Sequence, residues 1–334
     1  MAETANDVFS SLQKQFRGDL LQPGNHDYEE ARAIWNGMVA KTPGLIARCA
    51  DVGDVQTAVR TASAAGIATA VRCGGHSLAG FSTCDGGLVI DLSRMRRVTL
   101  DPDARRAKFE GGCLLGSIDN ATQQAGLVFP SGVVSHTGAA GLVLGGGTGW
   151  LTRRFGLSCD NVEGLGLVTA DGSLVRCNAR ENPDLFWALR GGGGNFGVVT
   201  EFEVRLHPLT SVILAQGLSC EADIRRLLTF WRDFMADAPI DLKWNVDLRL
   251  APATKDVPDD LRGRPVASNS LVWTGVPETG RRYLTRALAL SHPDSVTSRV
   301  ISFIQLQTMA DHCFPHGQRY YTKSGYFNDL DDVT

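Results

Sequence analysis

The stretch Val71-Arg72-Cys73-Gly74-Gly75-His76-Ser77-Leu78-Ala79-Gly80 follows directly on Ile67 to Arg72, a short apolar run that reads as a strand. Adjacent glycines admit positive φ, so successive N–H groups of such a loop point inward and form a nest for an anion such as a pyrophosphate. His76 then stands in the loop that holds the ligand; the alternative is a tight turn with a solvated histidine. Upstream, Val55, Ala58, Val59 and Ala62 fall at i, i+3, i+4 and i+7. They give Asp54 to Ala65 one apolar face, with Asp51 or Asp54 as its cap. Leu45 to Arg48 reads as a strand before that helix, so the loop closes a β-α-β unit.

Strand patterns continue at Leu88 to Leu92 and in a pair, Val98 to Leu100 and Ala107 to Phe109, that turns at Asp101-Pro102-Asp103. A helix is expected around Leu115 to Gln124. Val162 to Thr169 and Leu174 to Cys177 read as strands joined at Asp171-Gly172, Pro183 to Leu189 as a helix opening on proline, and Val198 to Leu206 as a strand. The texture changes after Pro208, and a boundary is placed near 208–212. Beyond it Ile224, Leu227, Leu228, Trp231, Phe234 and Met235 fit a long amphipathic helix with Asp223 near its cap. Trp244 to Leu250 and Leu271 to Trp273 read as strands, Pro252 to Pro265 as a surface loop, and Tyr320, Tyr321, Lys323 and Tyr326 as an aromatic-polar strand.

The chain has 334 residues, with 33 Lys or Arg against 36 Asp or Glu, a formal charge of −3. That balance excludes a broadly basic nucleic-acid binder. Hydrophobic residues at 43% and charged ones at 21% are those of a globular protein. Glycine is the deviation: 37 of 334, about 11% against the usual ~7%, concentrated in short runs. The eight cysteines form no Cys-x-x-Cys pair and read as free thiols of a reducing compartment. Met1 to Gln15 lacks the basic start and unbroken apolar core of a signal peptide, so a cytoplasmic location is expected. Asn120 to Thr152 carries no Lys, Arg, Asp or Glu but has eight glycines between Gly126 and Gly149. It reads as buried, ligand-covering backbone and not as a membrane span.

A second run, Gly138-Ala139-Ala140-Gly141-Leu142-Val143-Leu144-Gly145-Gly146-Gly147-Thr148-Gly149-Trp150, lets backbone approach a large planar or phosphate-bearing ligand; the alternative is a packing hinge. The third, Gly191-Gly192-Gly193-Gly194-Asn195-Phe196-Gly197-Val198-Val199-Thr200, contains a formal G-x-G-x-x-G. Its context is reversed, with a helix before and a strand after, so a Rossmann reading fails, and no P-loop motif occurs. His312 and His316 are four apart, but Pro315 lies between them and they read as surface histidines, so no metal site is expected.

Three glycine runs in this order, with a histidine in the first, resemble the FAD-linked oxidases of the berberine-bridge-enzyme-like group, which share the flavin domain of vanillyl-alcohol oxidases. The resemblance is carried by Arg72 to Ser77, Gly87 to Leu92, Gly111-Gly112, Gly132 to Leu151, Arg154 to Leu157 with Asp160-Asn161, Val168 to Gly172, and Glu181 to Arg190 running into the third run. It covers about residues 40 to 210 nearly continuously. It implies an α+β fold: an N-terminal segment 1–39, a two-subdomain FAD-binding domain 40–210 of the vanillyl-alcohol-oxidase type, and an incomplete α+β substrate domain 211–334. The cofactor contacts it implies are Arg72, Cys73, Gly74, Gly75, His76, Ser77 and Gly80; Thr137, Gly138, Gly141, Gly145, Gly146, Gly147, Gly149 and Trp150; Asn161; and Gly197, Val198 and Val199.

His76 falls at the position whose imidazole bonds to the flavin 8α carbon. Many relatives add a cysteine link at the position of Val134, so a single covalent bond is expected here. The implied reaction is hydride transfer from an alcohol, sugar or amine carbon of a small molecule to flavin N5, with reoxidation by oxygen or another acceptor. Family members continue past the strand resembling Tyr320 to Phe327 into a segment that lines the active site, whereas this chain stops at Thr334. The reading is therefore of a truncated or split chain, or of one whose remainder lies outside this sequence, and the catalytic base is unassigned. A degenerate flavin-binding protein and a nicotinamide-dependent reductase are the alternatives, and oligomeric state is not legible.

Overall fold

The computed structural model describes residues 5–255 and 257–325. Residues up to Pro208 together with Gln307–Thr322 form one compact unit, and Leu209–Leu306 is the body of a second.

In the first unit a four-stranded sheet runs in the order Asp19–Leu21, Leu45–Arg48, Leu88–Asp91, Thr69–Arg72. The last three strands are parallel, with Ile46 opposite Val89 and Val71 opposite Ile90. The two strands of the expected β-α-β unit therefore do not touch, because Leu88–Asp91 lies between them. Its four residues are all buried, as befits a central strand, while Thr69–Arg72 alternates exposed and covered as an edge. The connecting helix is Val52–Ala65, two residues longer at its start than the apolar periodicity marks. Asp51 caps it by accepting from the Asp54 N–H at 3.1 Å, and Gly66 ends it at φ +63°. The buried Asp54 carboxylate accepts from the backbone N–H groups of Arg17, Gly18 and Ala50, each at 2.9 Å, and so ties the incoming chain to the sheet.

A second sheet of five antiparallel strands follows the order Val98–Asp101, Arg106–Glu110, Val198–Arg205, Val162–Val168, Leu174–Asn178. Phe109 stacks on Phe202 at 4.9 Å beneath it, with Phe129 tilted against Phe109 at 5.8 Å. The helices Leu115–Gln123, Ala139–Leu144 and Pro183–Leu189 bury Leu115, Ile118, Val143, Phe186 and Leu189 in the same core.

The second unit is an antiparallel sheet in the order Leu242–Leu250, Pro265–Trp273, Ser211–Cys220, Thr297–Ser302. The helices Ile224–Ala236 and Pro277–Ala287 place Leu227, Phe234 and Leu284 against Trp244, Leu271 and Trp273. Ser211–Cys220 has no counterpart in the sequence reading. Its residues are buried on both faces, so the alternation that marks a half-buried strand is missing. One expectation changes. Tyr320–Gly325 carries no strand, and Tyr326 lies outside the described residues. The uncharged stretch holds short helices and the two-residue strand Leu127–Val128, and among the described residues no helix is long and apolar enough to cross a membrane. All eight cysteines are free thiols, as expected.

Candidate functional site

The loop after Thr69–Arg72 packs against the opening of the short helix Ala139–Leu144. A Cβ on Gly74 would sit 2.5 Å from the Gly138 nitrogen, and one on Gly138 would sit 2.3 Å from the Gly74 nitrogen. Only two bare Cα atoms admit that approach. Backbone bonds lock it: Ala139 N–H donates to the Cys113 carbonyl at 2.9 Å and Leu115 N–H to that of Thr137 at 3.0 Å. Cys73 lies in this junction, its thiol pushed by burial up to about 11, which makes it a packing group and not a nucleophile.

The second and third glycine runs are joined as closely. The Leu144 carbonyl, at the end of the short helix, accepts from the N–H groups of Gly191 and Gly193 at 3.1 and 2.9 Å. Gly197 lies against the Val168 carbonyl at φ +147°, where a Cβ would come within 2.5 Å. First and third runs meet across a cleft of about 330 Å³ lined by Ile67, Thr69, Val71, Phe196, Gly197 and Val198 among others. Thus all three runs converge in one unit. Along the short helix, Gly141 and Gly145 are exposed, one turn apart, and a Cβ on Gly141 would meet nothing within 4 Å. A strip of naked backbone results. In the same unit, the buried Nε of Arg72 and Nε1 of Trp150 have no hydrogen-bond partner among the described residues.

His76 is half-buried. Its Nε2 lies 2.8 Å from Nδ1 of His136, its Nδ1 lies 3.4 Å from the Thr137 hydroxyl, and Trp35 stacks on its ring at 4.9 Å. Burial first, then the neighbouring His136 and His316 rings, drive its pKa from 6.5 down to about 3, so the ring is neutral at ordinary pH.

An FAD-linked oxidoreductase of Dictyostelium discoideum is 31% identical over 97% of this chain and 69% of its own length. The chain belongs to the berberine-bridge-enzyme-like FAD-linked oxidases. Within it, residues 43–178 match the FAD binding domain. The (R)-6-hydroxynicotine oxidase of Paenarthrobacter nicotinovorans is 42% identical over 63% of this chain and 46% of its own. The solved 6-hydroxy-D-nicotine oxidase of Arthrobacter nicotinovorans superposes with a TM-score of 0.82 at 31% identity, covering 91% of this chain and 66% of that one. The chain thus spans about half to two thirds of these FAD-linked proteins.

Seen in this oxidase frame, the residues singled out from sequence divide. Gly74, Gly75, His76, Thr137, Gly138, Gly141 and Gly145 gather at the junction and the bare strip. Gly146 and Gly147, at φ +103° and +78°, accept from Cys159 and Ser158 and turn the chain. A Cβ on Gly149 would strike the Ser131 carbonyl at 1.7 Å, and one on Gly80 would press on Val39. The Ser77 hydroxyl accepts from Phe81 N–H at 2.9 Å. Asn161 spends its side chain on the fold, donating to the Phe155 and Leu157 carbonyls and meeting His207 at 2.7 Å. Val198 and Val199 are both core residues, and Val198 also lines the cleft.

His312 and His316 are both exposed, as the sequence reading expects. His312 and His316 do not share a face: His312 lies beside Cys313 at 3.3 Å, while His316 joins His76 and His136 at ring-centroid distances of 5.5 and 5.0 Å. The sequence reading did not foresee that His316 packs against His76 and His136. Its place depends on contacts 180 or more residues away in the chain, which no local pattern announces.

Proposed function

We propose that the chain is a flavoprotein oxidoreductase that binds FAD along the three converging glycine runs, tethers it covalently through His76, and oxidises a small molecule at an alcohol, sugar or amine carbon. The observation carrying this reading is the convergence itself, with the neutral, half-buried His76 ring beside it. Bound there, the flavin would supply hydride acceptance at N5, with oxygen or another acceptor taking the electrons on.

The residues present fit such a group. The loop Cys73–Ser77 offers backbone N–H groups to a pyrophosphate, the Gly141–Gly145 strip leaves room for a planar ring system, and the unpartnered Arg72 Nε and Trp150 Nε1 supply donors. Neutrality matters for His76, because only an unprotonated ring nitrogen has a lone pair to bond carbon. With Val134 where relatives place a second attachment, one link is expected. The relative named for 6-hydroxynicotine supports an amine among the substrates.

The purified chain, denatured in acid or SDS, should keep its yellow colour, and His76→Ala should release it. Complete release from wild type would defeat the covalent link. Anaerobic bleaching by a panel of alcohols, sugars and amines then identifies the donor.

A further inference from the structure

We propose that, where His76 tethers the flavin as read above, the bond forms at its Nδ1 and His136 takes the proton that must leave its Nε2. His136 Nδ1 lies 2.8 Å from His76 Nε2, the two rings tilted at 48° with centroids 4.8 Å apart. No carbon fits between two nitrogens at that separation, so Nε2 is closed to the flavin 8α carbon. His76 Nδ1 has the Thr137 hydroxyl at 3.4 Å, a long contact that a hydroxyl gives up by rotating. In a neutral imidazole one nitrogen carries the proton and the other the lone pair. Nε2 therefore donates to His136, and the lone pair stands on Nδ1.

The chain fixes His136 from both sides. Ser135 donates from its N–H and its hydroxyl to the two carboxylate oxygens of Asp311, at 2.8 and 2.6 Å, and its carbonyl accepts from Gly116 N–H at 2.8 Å. The Thr137 carbonyl accepts from Leu115 N–H at 3.0 Å. Outward of His136 stands the exposed His316, its ring centroid 5.0 Å away, which opens the pair of rings to solvent.

Attachment forms one bond, from His76 Nδ1 to the 8α carbon, and breaks two, an 8α C–H bond and the His76 Nε2–H bond. Both hydrogens leave as protons. The electron pair of the C–H bond stays with the cofactor until dioxygen takes it, with two protons, as hydrogen peroxide. Attack by Nδ1 leaves His76 a cation for as long as Nε2 keeps its proton. The burial that drives the ring's pKa down to about 3 makes that cation a strong acid, so the proton crosses the hydrogen bond already in place.

The test measures, on the full chain as purified, how much of the natively bound colour stays with the polypeptide in SDS. Wild type should keep all of it. His136→Ala should bind flavin and release nearly all of it, as should His136→Asn, whose amide oxygen accepts from Nε2 but takes no proton; attachment is slowed by roughly 100-fold or more. Imidazole added in air with FAD should restore attachment to His136→Ala, where the ring has left a space, and not to His136→Asn. Attachment as complete in both variants as in wild type, or a link at Nε2 in the proton NMR spectrum of the flavin peptide, overturns the proposal and leaves the flavin reading standing. So does a His136→Asn chain that keeps the wild-type urea midpoint yet binds no flavin. A wild-type chain that is colourless, or that releases all its colour, removes the covalent reading and this proposal with it.

Discussion

Gly74 and Gly138 differ from Gly141 and Gly145 in what their missing side chains leave behind. At the first pair the space is filled by opposing backbone, with a Cβ meeting atoms at 2.3–2.5 Å; at Gly141 it is open, and nothing stands within 4 Å. One pair holds two segments of chain together, and the other leaves a face for something the chain does not itself provide. A run of glycines is thus two devices, separable only once the fold shows which Cα atoms are covered.

The contrast is sharpest under substitution. Gly138→Ala forces a methyl into the Gly74 backbone, and the loss should lie at or beyond the upper end of the ~1–3 kcal/mol typical of overpacking. The measurement is the urea midpoint of the purified chain; an unchanged midpoint would break the comparison. Gly141→Ala should leave the midpoint unchanged or raise it by up to about 1 kcal/mol, since alanine favours a helix interior. Gly141→Leu should leave the fold intact yet reduce flavin retention. Equal flavin content in that variant would mean the strip faces no ligand.

Titration extends the contrast to smaller effects. Asp119, buried in the helix Leu115–Gln123 on the packed side, is pushed from 3.8 up to about 8, chiefly by burial and then by Asp311. The folded chain keeps that proton after the unfolded chain has lost it, so stability falls as pH rises from about 3.8 toward 8. Asp119→Asn should match wild type near pH 4 and exceed it near pH 8. His76, on the open side, has the opposite sign. Its pKa falls from 6.5 to about 3, so its contribution is full above 6.5 and is lost as pH drops toward 3. His76→Gln should flatten that slope in a midpoint-against-pH series.

Much of the first unit was legible because its elements are locally marked. Asp51 caps a helix, Asp101-Pro102-Asp103 and Asp171-Gly172 turn hairpins, and Pro183 opens a helix, each through its own neighbours. The sheet order was not, since the central place of Leu88–Asp91 depends on burial from both sides. Ser211–Cys220 escaped for the same reason. At the site, His76 was signalled by the glycines beside it. His136 sat in an uncharged run with no pattern of its own, and His316 was placed by hydrogen bonds to Trp35 and Gly37 far back in the chain.

The most direct test is the mass of the tryptic peptide that begins at Cys73 and ends at Arg94. The account predicts that this peptide is heavier by one FAD and carries the chain's yellow colour. An unmodified peptide from a chain whose colour is absent, or is released intact on unfolding, would contradict it.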